Sequence, residues 1–283
     1  ILRMAVREGI DPITAIQMVT INAATYFQMG TDMGSVTPGK CADIVFLDDL
    51  KDFHVTRTII DGEVVAEDGK ALFEAGSYQY PEFMTDTMHV AVDISEATFQ
   101  IPAVDSKGNA LSGDTATVRT MVVAPGSTIT EGTLAQAPIK DGQLVADSQN
   151  DLLKAFVFER HHDTGSFAYG FVKGFGIHGA LAQTVAHDAH NLLVVGDNDA
   201  DMALAARTLV ECGGGECAVE DGKILGQVAL PICGLMSPRH VEDVAADVEK
   251  VEEAWKSMGC TMPSPFMTMG LLSLACIPSL RLT

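Results

Sequence analysis

Length, composition and charge already restrict what this chain can be. It has 283 residues, of which 47% are hydrophobic and 20% are charged, so it is too hydrophobic for a disordered chain and has ample material for a packed core. Its 18 Lys and Arg residues against 38 Asp and Glu residues give a formal net charge of -20, which repels nucleic-acid phosphates and anionic lipid surfaces. We therefore expect a globular protein with no nucleic-acid partner and no membrane partner.

The cysteines and the first residues suggest where the chain comes from. The six cysteines form no CxxC pair and lie mostly in apolar runs, which is typical of reduced thiols in a cytoplasmic protein. The chain begins with Ile1, carries no signal-peptide pattern and enters a helical pattern at once. We therefore expect a cytoplasmic protein, and a chain that begins in the middle of a longer one.

Helical patterns and then strand patterns occupy the first 75 residues. Residues 1–6 form an amphipathic pattern that Gly9 ends, and Asp11 with Pro12 supplies the cap and the first position of a second helix. From Gly34 on, the hydrophobic period changes to two and Asp-Gly turns appear, which predicts a small antiparallel sheet. The predicted strands are Asp43–Leu47, His54–Ile60 and Glu63–Ala66. Two short helices are thus expected before the first strand.

The remaining residues predict a second, larger unit. A loosely patterned stretch with Gly76, Ser77 and Pro81 precedes it, and the scarcity of βαβ alternation predicts a mixed α+β domain. Asp-Gly pairs at 141–142 and 221–222 predict two hairpin turns. The predicted helices are Asp199–Cys212 and Pro238–Met258, and the predicted strands are Val90–Ile94, Arg119–Val123, Ala137–Ile139, Leu144–Ala146, Leu153–Glu159, Ala180–Ala186, Leu192–Val195, Glu216–Val219 and Lys223–Ala229.

Two clusters of polar residues in the larger unit could carry chemistry. His161 and His162 directly follow an apolar strand, where functional loops are common. His187, Asp188 and His190 lie between two apolar strands, and in a tight turn they could bind a metal, move a proton or recognise a nitrogen heterocycle. For both clusters, a purely structural role in a hydrogen-bonded loop is the alternative.

A glycine-rich segment, Gly170–Gly176, lies between the two clusters. Its glycines would let the backbone approach a ligand closely, and Lys173 would add a cation there. The segment does not match the dinucleotide-binding or Walker motifs, so nucleotide-phosphate binding is not indicated. The motifs GxSxG, HExxH and HxE with a downstream PCxxC do not occur in the sequence either.

Two sets of motifs resemble known families. Gly34–Val45, followed by Asp48-Asp49-Leu50, resembles the segment with which amidohydrolase-superfamily enzymes leave their metal-bearing barrel for a small β-sandwich. The motifs of the larger unit together resemble the C-terminal domain of the bacterial adenine deaminase family, although Ala189 stands where that family usually has Ser. These motifs are Arg160-His161-His162, the glycine-rich segment, Val185–Asn191, Gly213–Gly215, Leu230–Ser237 and Pro265–Thr268.

The resemblance implies an α+β fold in three parts and a reaction. Residues 1–30 would be a short helical remnant of a TIM barrel, 31–75 a small antiparallel β-sandwich part, and 76–283 a larger mixed α+β C-terminal domain. The family reaction is hydrolysis of adenine to hypoxanthine and ammonia by a hydroxide on a divalent metal pair, Mn or Fe, whose ligands belong to the barrel. Because this sequence has no HxH pair, we expect no complete metal site in the chain and no activity from the chain alone.

The resemblance and the clustering favour the same candidate site. We expect an accessory or substrate-orienting set that faces the barrel mouth, and a substrate-binding set near it. The first set is His187, Asp188 and His190, and the second is His161, His162 and Lys173. The expected small-molecule partner is adenine, and the expected assembly is a homo-oligomer, most simply a dimer.

Two other functions fit parts of the sequence. The first 75 residues alone would fit another amidohydrolase that acts on a cyclic amide or amine. The chain would also fit a non-catalytic dimerisation or lid module, with helix 238–258 and the methionine-rich stretch as its interface. The methionines Met258, Met262, Met267 and Met269 are expected in a core or an interface rather than in a ligand set.

Overall fold

The computed structural model describes residues 1–74, 76–276 and 279–282. The chain divides into two compact units, the first Ile1–Gln79 and the second from Tyr80 onward. Both units combine helices with sheet, so the predicted α+β class is confirmed. No helix among the described residues is both long enough and apolar enough to cross a bilayer.

The first unit joins short helices to an antiparallel sheet. Its elements are α1 (Leu2–Arg7), α2 (Pro12–Val19), α3 (Ile21–Tyr26), β1 (Ile44–Leu47), β2 (Val55–Ile60), β3 (Glu63–Glu67) and β4 (Lys70–Ala71). The strands pair in chain order, and Asp11 caps α2 by accepting a hydrogen bond from the Thr14 amide at 2.9 Å. Two helices were predicted here, but the described residues form three, because Thr20 leaves the helical conformation with φ -123° and ψ -98°. The antiparallel part of the expected sandwich is present as one four-stranded sheet.

The second unit is built on a large mixed sheet. Its strands are β5 (Ile101–Pro102), β6 (Thr115–Val122), β7 (Glu131–Lys140), β8 (Gln143–Leu144), β9 (Leu153–Phe158), β10 (Phe167–Lys173), β11 (Ala180–Gln183), β12 (Leu192–Gly196), β13 (Gly215–Glu220) and β14 (Lys223–Ala229). Among the described residues the order in the sheet is β14-β13-β11-β12-β9-β10-β6-β7-β8-β5. The pair β6 and β10 is parallel, and the other neighbouring pairs are antiparallel.

Helices cover both faces of this sheet. The helices of the second unit are α4 (Glu82–Thr85), α5 (Asp199–Cys212), α6 (Val241–Ser257) and α7 (Pro265–Gly270), with 3-10 turns at Glu96–Phe99, Ser148–Asn150 and Leu271–Ser273. On one face, Met202 and Leu209 of α5 pack in a cluster with Phe156. On the other face, Trp255 of α6 and Phe266 of α7 meet with ring centroids 5.8 Å apart. Because both faces are covered, β9 and β12 are buried at every position.

Two predictions about strands in the second unit were wrong. Val90–Ile94 is not assigned to a strand, because Val90 and Val92 pack against the sheet face and do not join its hydrogen-bonded ladder. The glycine-rich segment, predicted as a ligand loop, belongs through Lys173 to β10 in the interior of the sheet. Its aromatic side chains at alternate positions explain this, since Phe167 and Tyr169 both stack on Phe156 of the neighbouring strand.

Several boundaries also differ from prediction. Strands β6 and β7 are longer than predicted, because the added parts are largely exposed and their inward positions, such as Ala116 and Ala135, give only a weak apolar signal. Strands β8 and β11 end earlier than predicted, at Leu144 and Gln183. Helix α6 begins at Val241 rather than Pro238, and α7 was not predicted as a helix. The Asp-Gly turns at 141–142 and 221–222 do join β7 to β8 and β13 to β14, with positive φ at all four residues.

Gly213 and three of the four methionines have structural roles. Gly213 ends α5 in the left-handed conformation, with φ +85°. Met258, Met262 and Met269 are buried in the core of the chain itself, whereas Met267 is 60% exposed. The three buried side chains therefore do not supply the interface that a dimerisation module would need.

Candidate functional site

The loops that carry the polar motifs meet at one edge of the large sheet. Strand β9 ends there and β10 and β12 begin there, since Phe158 pairs with both Phe167 and Leu192. Strand β14 ends at the same edge where β13 begins, since Gly215 pairs with Ala229. We call this edge the motif edge, and it comprises residues 159–166, 184–191, 213–215 and 230–237.

Arg160 lies at the centre of the motif edge and is 1% exposed. Its Nε donates a hydrogen bond to the carbonyl of His190 at 2.6 Å, its Nη1 to that of Thr87 at 2.7 Å, and its Nη2 to that of Cys233 at 2.9 Å. Burial lowers the pKa of this guanidinium, which remains a cation because its ordinary pKa is far above neutrality. One buried cation therefore ties three separate loops together.

The carboxylate of Glu159 shapes the loop that follows β9. It accepts hydrogen bonds from the amides of His161 and His162 at 2.5 and 2.9 Å, and from the Thr164 hydroxyl at 2.9 Å. Partial burial raises the pKa of Glu159, but these donors outweigh it, the His161 amide most of all, and lower the pKa to about 2. Glu159 is therefore a permanent anion that folds the loop rather than a proton donor.

His161 and His162 point in different directions. The Nε2 atom of His161 lies 2.7 Å from the carbonyl oxygen of Ala189, so the first cluster contacts the second. Since Ala189 contributes a backbone carbonyl, a serine at that position would supply the same contact. The side chain of His162 is 81% exposed and lies 3.3 Å from Glu159.

The second cluster forms a tight turn between β11 and β12. The rings of His187 and His190 lie 6.0 Å apart between centroids, and Asp188 is exposed. His187 packs against α7, where its Cδ2 atom would lie 3.4 Å from a side chain at Gly270. The His190 amide closes the turn by donating to the Ala186 carbonyl at 2.7 Å. The structure thus brings His161, His187 and His190 into one region.

His190 is neutral at physiological pH. Burial lowers its pKa first, and the neighbouring His187 and then Arg160 lower it further, against the raising effects of the Val185 carbonyl and Asp188. A neutral imidazole has one nitrogen that donates and one that accepts a hydrogen bond. Such a ring is suited to recognition of a neutral heterocycle.

Several buried polar atoms near Arg160 lack a hydrogen-bond partner. Within the described residues, Nδ1 of His190, Oδ1 of Asn191 and Oγ1 of Thr87 are buried and have no protein hydrogen-bond partner. Both His190 and Thr87 also give their carbonyl oxygens to Arg160. Buried polar atoms normally have a hydrogen-bond partner, so these three atoms indicate a place where a polar ligand could bind.

A cavity of about 490 Å³ opens beside Thr87. It is lined by Glu82, Phe83, Asp86, Thr87, His89 and His161. The His89 amide donates to the Arg160 carbonyl at 2.9 Å, which fixes this wall to the end of β9. The volume lies within the range of small-molecule sites, and the lining offers an aromatic ring, imidazoles and carboxylates.

The structure does not bring Lys173 to the motif edge. Strand β10 runs away from it, so that Val172 pairs with Leu153 at the far end of β9. The Nζ atom of Lys173 donates to the Asn150 carbonyl at 2.9 Å. The expected proximity of Lys173 to the two histidine clusters is therefore wrong, because a strand of seven residues separates its two ends by about 20 Å.

The glycines after β10 serve the backbone. The amides of Gly174 and Gly176 donate to the two carboxylate oxygens of Asp151 at 2.6 and 2.8 Å. Gly174 has φ +116°, and a side chain there would come within 2.2 Å of the Val123 carbonyl oxygen. These glycines therefore accommodate an acidic side chain of the chain itself and a close strand contact.

Sequence reasoning missed Thr87 and His89, and it gave Arg160 no role. Thr87 and His89 lie between the linker and the predicted strand Val90–Ile94. The available signal was the polar group Asp86, Thr87 and His89 directly before an apolar run. As for metals, the described residues contain no group of three or more His, Cys, Asp or Glu side chains placed to hold an ion.

Comparison with known proteins gives the chain a family. Residues 127–283 match the adenine deaminase C-terminal domain, and residues 1–65 match the amidohydrolase family. Over its whole length the chain is 54% identical to an adenine deaminase of Clostridium botulinum (strain Loch Maree / Type A3), 46% to one of Moorella thermoacetica and 40% to one of Paracoccus denitrificans. It spans about half the length of these curated relatives, 46%, 47% and 46% respectively. The chain belongs to the adenine deaminase family, as its C-terminal domain preceded by an amidohydrolase segment.

Proposed function

We propose that the longer protein to which this chain belongs hydrolyses adenine to hypoxanthine and ammonia. In that reaction the oxygen of water replaces the exocyclic amino group of the purine, which leaves as ammonia. The family match over residues 127–283 and the names of the relatives support the proposal. The same support extends to a role in adenine catabolism.

Within this chain, the observation that carries the proposal is the meeting of remote family motifs at the motif edge. Neutral His190 offers its unpartnered Nδ1 atom, and Asn191 and Thr87 add buried oxygens. A purine presents donors and acceptors of the same kind along its edge, so the arrangement suits it. We assign His187, Asp188 and His190 to orienting the substrate, with His161 at the cavity wall.

The amidohydrolase match suggests a metal-dependent enzyme. The described residues of this chain do not fit a metal site, since they include no suitable ligand group. We therefore assign to this chain the binding and positioning of the purine. The divalent pair, Mn or Fe, is proposed to be held by residues that this chain does not contain.

The cellular setting is also proposed. All six cysteines are free thiols, which supports a reducing compartment such as the cytoplasm. We propose a homo-oligomer, most simply a dimer, as the working form. In this setting adenine is the small-molecule partner, and the net charge of -20 disfavours a nucleic-acid or anionic-membrane partner.

The test uses the longest natural form of the protein that contains this chain, supplied with divalent metal. Incubation with adenine should give hypoxanthine and ammonia in equal amounts. We expect His187→Ala and His190→Ala each to reduce kcat/KM by about tenfold or more, as loss of substrate orientation does.

His178→Ala is the matched control. Its ring is 66% exposed and lies 3.2 Å from Asp197, at the opposite edge of the sheet from the histidine clusters. It should leave kcat and KM at the wild-type values. Wild-type protein that yields no hypoxanthine would contradict the reaction, and unchanged kcat and KM in both test variants would contradict the assigned residues.

A further inference from the structure

We propose that Arg160 is a positioning residue whose buried guanidinium holds three loops of the candidate site in the arrangement that presents His161 and His190. This inference rests on the proposed function and adds a residue to which that function gives no role.

The first support is the connectivity of its hydrogen bonds. The three acceptors are carbonyl groups of Thr87, His190 and Cys233, which lie 73, 30 and 73 positions away in sequence. Each acceptor belongs to a different loop, and two of these residues also carry unpartnered buried polar atoms. The guanidinium therefore determines where those atoms stand relative to one another.

The second support is how closely the surroundings fit a planar group. A side chain at Gly234 would lie 2.7 Å from Nη2, 2.9 Å from Cζ and 3.0 Å from Nη1 of Arg160, so only glycine fits over the guanidinium. The Thr184 hydroxyl fixes Gly234 by donating to its carbonyl at 2.6 Å. Because guanidinium donors point in fixed directions within one plane, a lysine ammonium cannot reproduce all three bonds.

The third support is a contrast with another buried cation, on strand β9, which ends two residues before Arg160. Lys154 is 2% exposed, and its Nζ meets the Asp199 carboxylate at 2.7 Å and the Phe99 carbonyl at 2.9 Å. Arg160, in contrast, donates its hydrogen bonds to three carbonyl oxygens, which carry no formal charge. A buried cation is costly to desolvate, and neutral acceptors offset that cost less well than a carboxylate. Such an arrangement favours a defined loop geometry over stability alone.

The experiment compares Arg160→Ala and Arg160→Lys with Lys154→Met in the longest natural form that contains this chain. Arg160→Ala should raise the KM for adenine by about tenfold to a hundredfold, the size expected when a site is displaced by about 1 Å. Free guanidinium, added well below denaturing concentration, should restore KM in Arg160→Ala, whereas ammonium at equal ionic strength should not. Arg160→Lys should keep a raised KM. Lys154→Met should lower Tm and leave KM unchanged.

A second readout needs no catalysis. In the 283-residue chain labelled with ¹⁵N-histidine, Arg160→Lys should shift the imidazole signals of His161 and His190, and Lys154→Met should not. This readout decides the matter if Arg160→Ala does not fold. It also separates the positioning role of Arg160 from the proposed reaction. If the wild-type protein does not turn over adenine, the reaction is refuted, but the histidine signals still test the positioning role. The positioning role is overturned by an unchanged KM in both Arg160 variants, by absence of guanidinium rescue, or by unshifted histidine signals.

Discussion

Glu216 shows how a single half-buried carboxyl group can shape the behaviour of the fold. It lies on β13, where it pairs with Gln183 on one side and Val228 on the other. Ala218, two positions further on, belongs to the core cluster beneath α6 and α7, so Glu216 points toward the same covered face. Burial raises the pKa of Glu216 from 4.5 to about 7.

Replacement of this carboxyl by an amide should therefore stabilise the protein in a pH-dependent way. Below pH 4.5 the Glu216 carboxyl is protonated in both the folded and the unfolded state, so it does not reduce the free energy of unfolding. As the pH rises toward 7, the carboxyl ionises in the unfolded state but stays protonated in the folded state, and the free energy of unfolding falls. We expect Glu216→Gln to raise the free energy of unfolding by about 3 kcal/mol at pH 8 and by less than about 1 kcal/mol at pH 5.

Urea unfolding of the two proteins at both pH values measures this difference. Glu131→Gln, at an exposed position on β7, is the control and should change stability by less than about 0.5 kcal/mol. An equal effect of Glu216→Gln at pH 5 and pH 8 would show that its carboxyl titrates normally.

At the scale of elements, helix α5 is fastened to the β13–β14 hairpin by one carboxylate. Asp201 is 2% exposed and accepts hydrogen bonds from the amides of Asp221 and Gly222 at 3.0 and 2.8 Å. Asn198 caps the helix and donates to the same carboxylate at 2.9 Å. The carboxylate thus ties the partly buried amides of the hairpin turn to the first turn of α5.

Loss of this carboxylate should loosen the hairpin. Asp201→Ala leaves two amide donors without an acceptor, and we expect a loss of about 2–4 kcal/mol in the free energy of unfolding. Asp201→Asn keeps one acceptor oxygen, so its free energy of unfolding should lie between those of the wild type and Asp201→Ala. Hydrogen exchange at Asp221 and Gly222 should accelerate in the alanine variant. The control is Asp243→Ala, in the exposed first turn of α6, which should lower the free energy of unfolding by less than about 1 kcal/mol. Unchanged slow exchange at Asp221 and Gly222 in Asp201→Ala would refute the role of the Asp201 carboxylate.

Which elements the sequence could predict depended on burial. Strands β9 and β12 are buried on both faces, so their apolar runs were visible, and both ends of α5 were predicted where the structure has them. The added parts of β6 and β7 are largely exposed and carry only a weak apolar pattern. Strand β10 was not predicted because Gly170 looks like a loop residue, although a side chain at that position would lie 3.8 Å from Leu282 in ordinary packing contact.

The same limit applied to the candidate site. The two histidine clusters were visible because each follows an apolar strand, and the sheet does bring His161 and His190 together. Lys173 is close to them in sequence but separated by the length of β10, which only the pairing of strands reveals. Arg160 was part of a motif, yet its role depends on three partners that are remote in sequence.

At the scale of the whole molecule, the two units differ in how much apolar surface they bury. Among the described residues of the first unit, the buried hydrophobic side chains are Ala15, Ala24 and Phe53. Its helices and sheet enclose a largely apolar cavity of about 1130 Å³. The two large core clusters consist entirely of residues from Ile94 onward. A unit that buries so few side chains gains little stability from the hydrophobic effect.

This contrast predicts that the two units, prepared separately, differ in whether they unfold cooperatively. Residues 80–283 alone should unfold in one cooperative transition, with a Tm within about 3 °C of the main transition of the whole chain, because both clusters lie within them. Residues 1–79 alone should show no cooperative transition, because their exposed hydrophobic residues leave too small a core. Differential scanning calorimetry of the three polypeptides measures this, and near-UV circular dichroism of residues 80–283 checks that Trp255 keeps its native packing. A cooperative transition in residues 1–79, or a main transition lost when those residues are removed, would mean that the stability of the chain does not reside in the large sheet and its two covered faces.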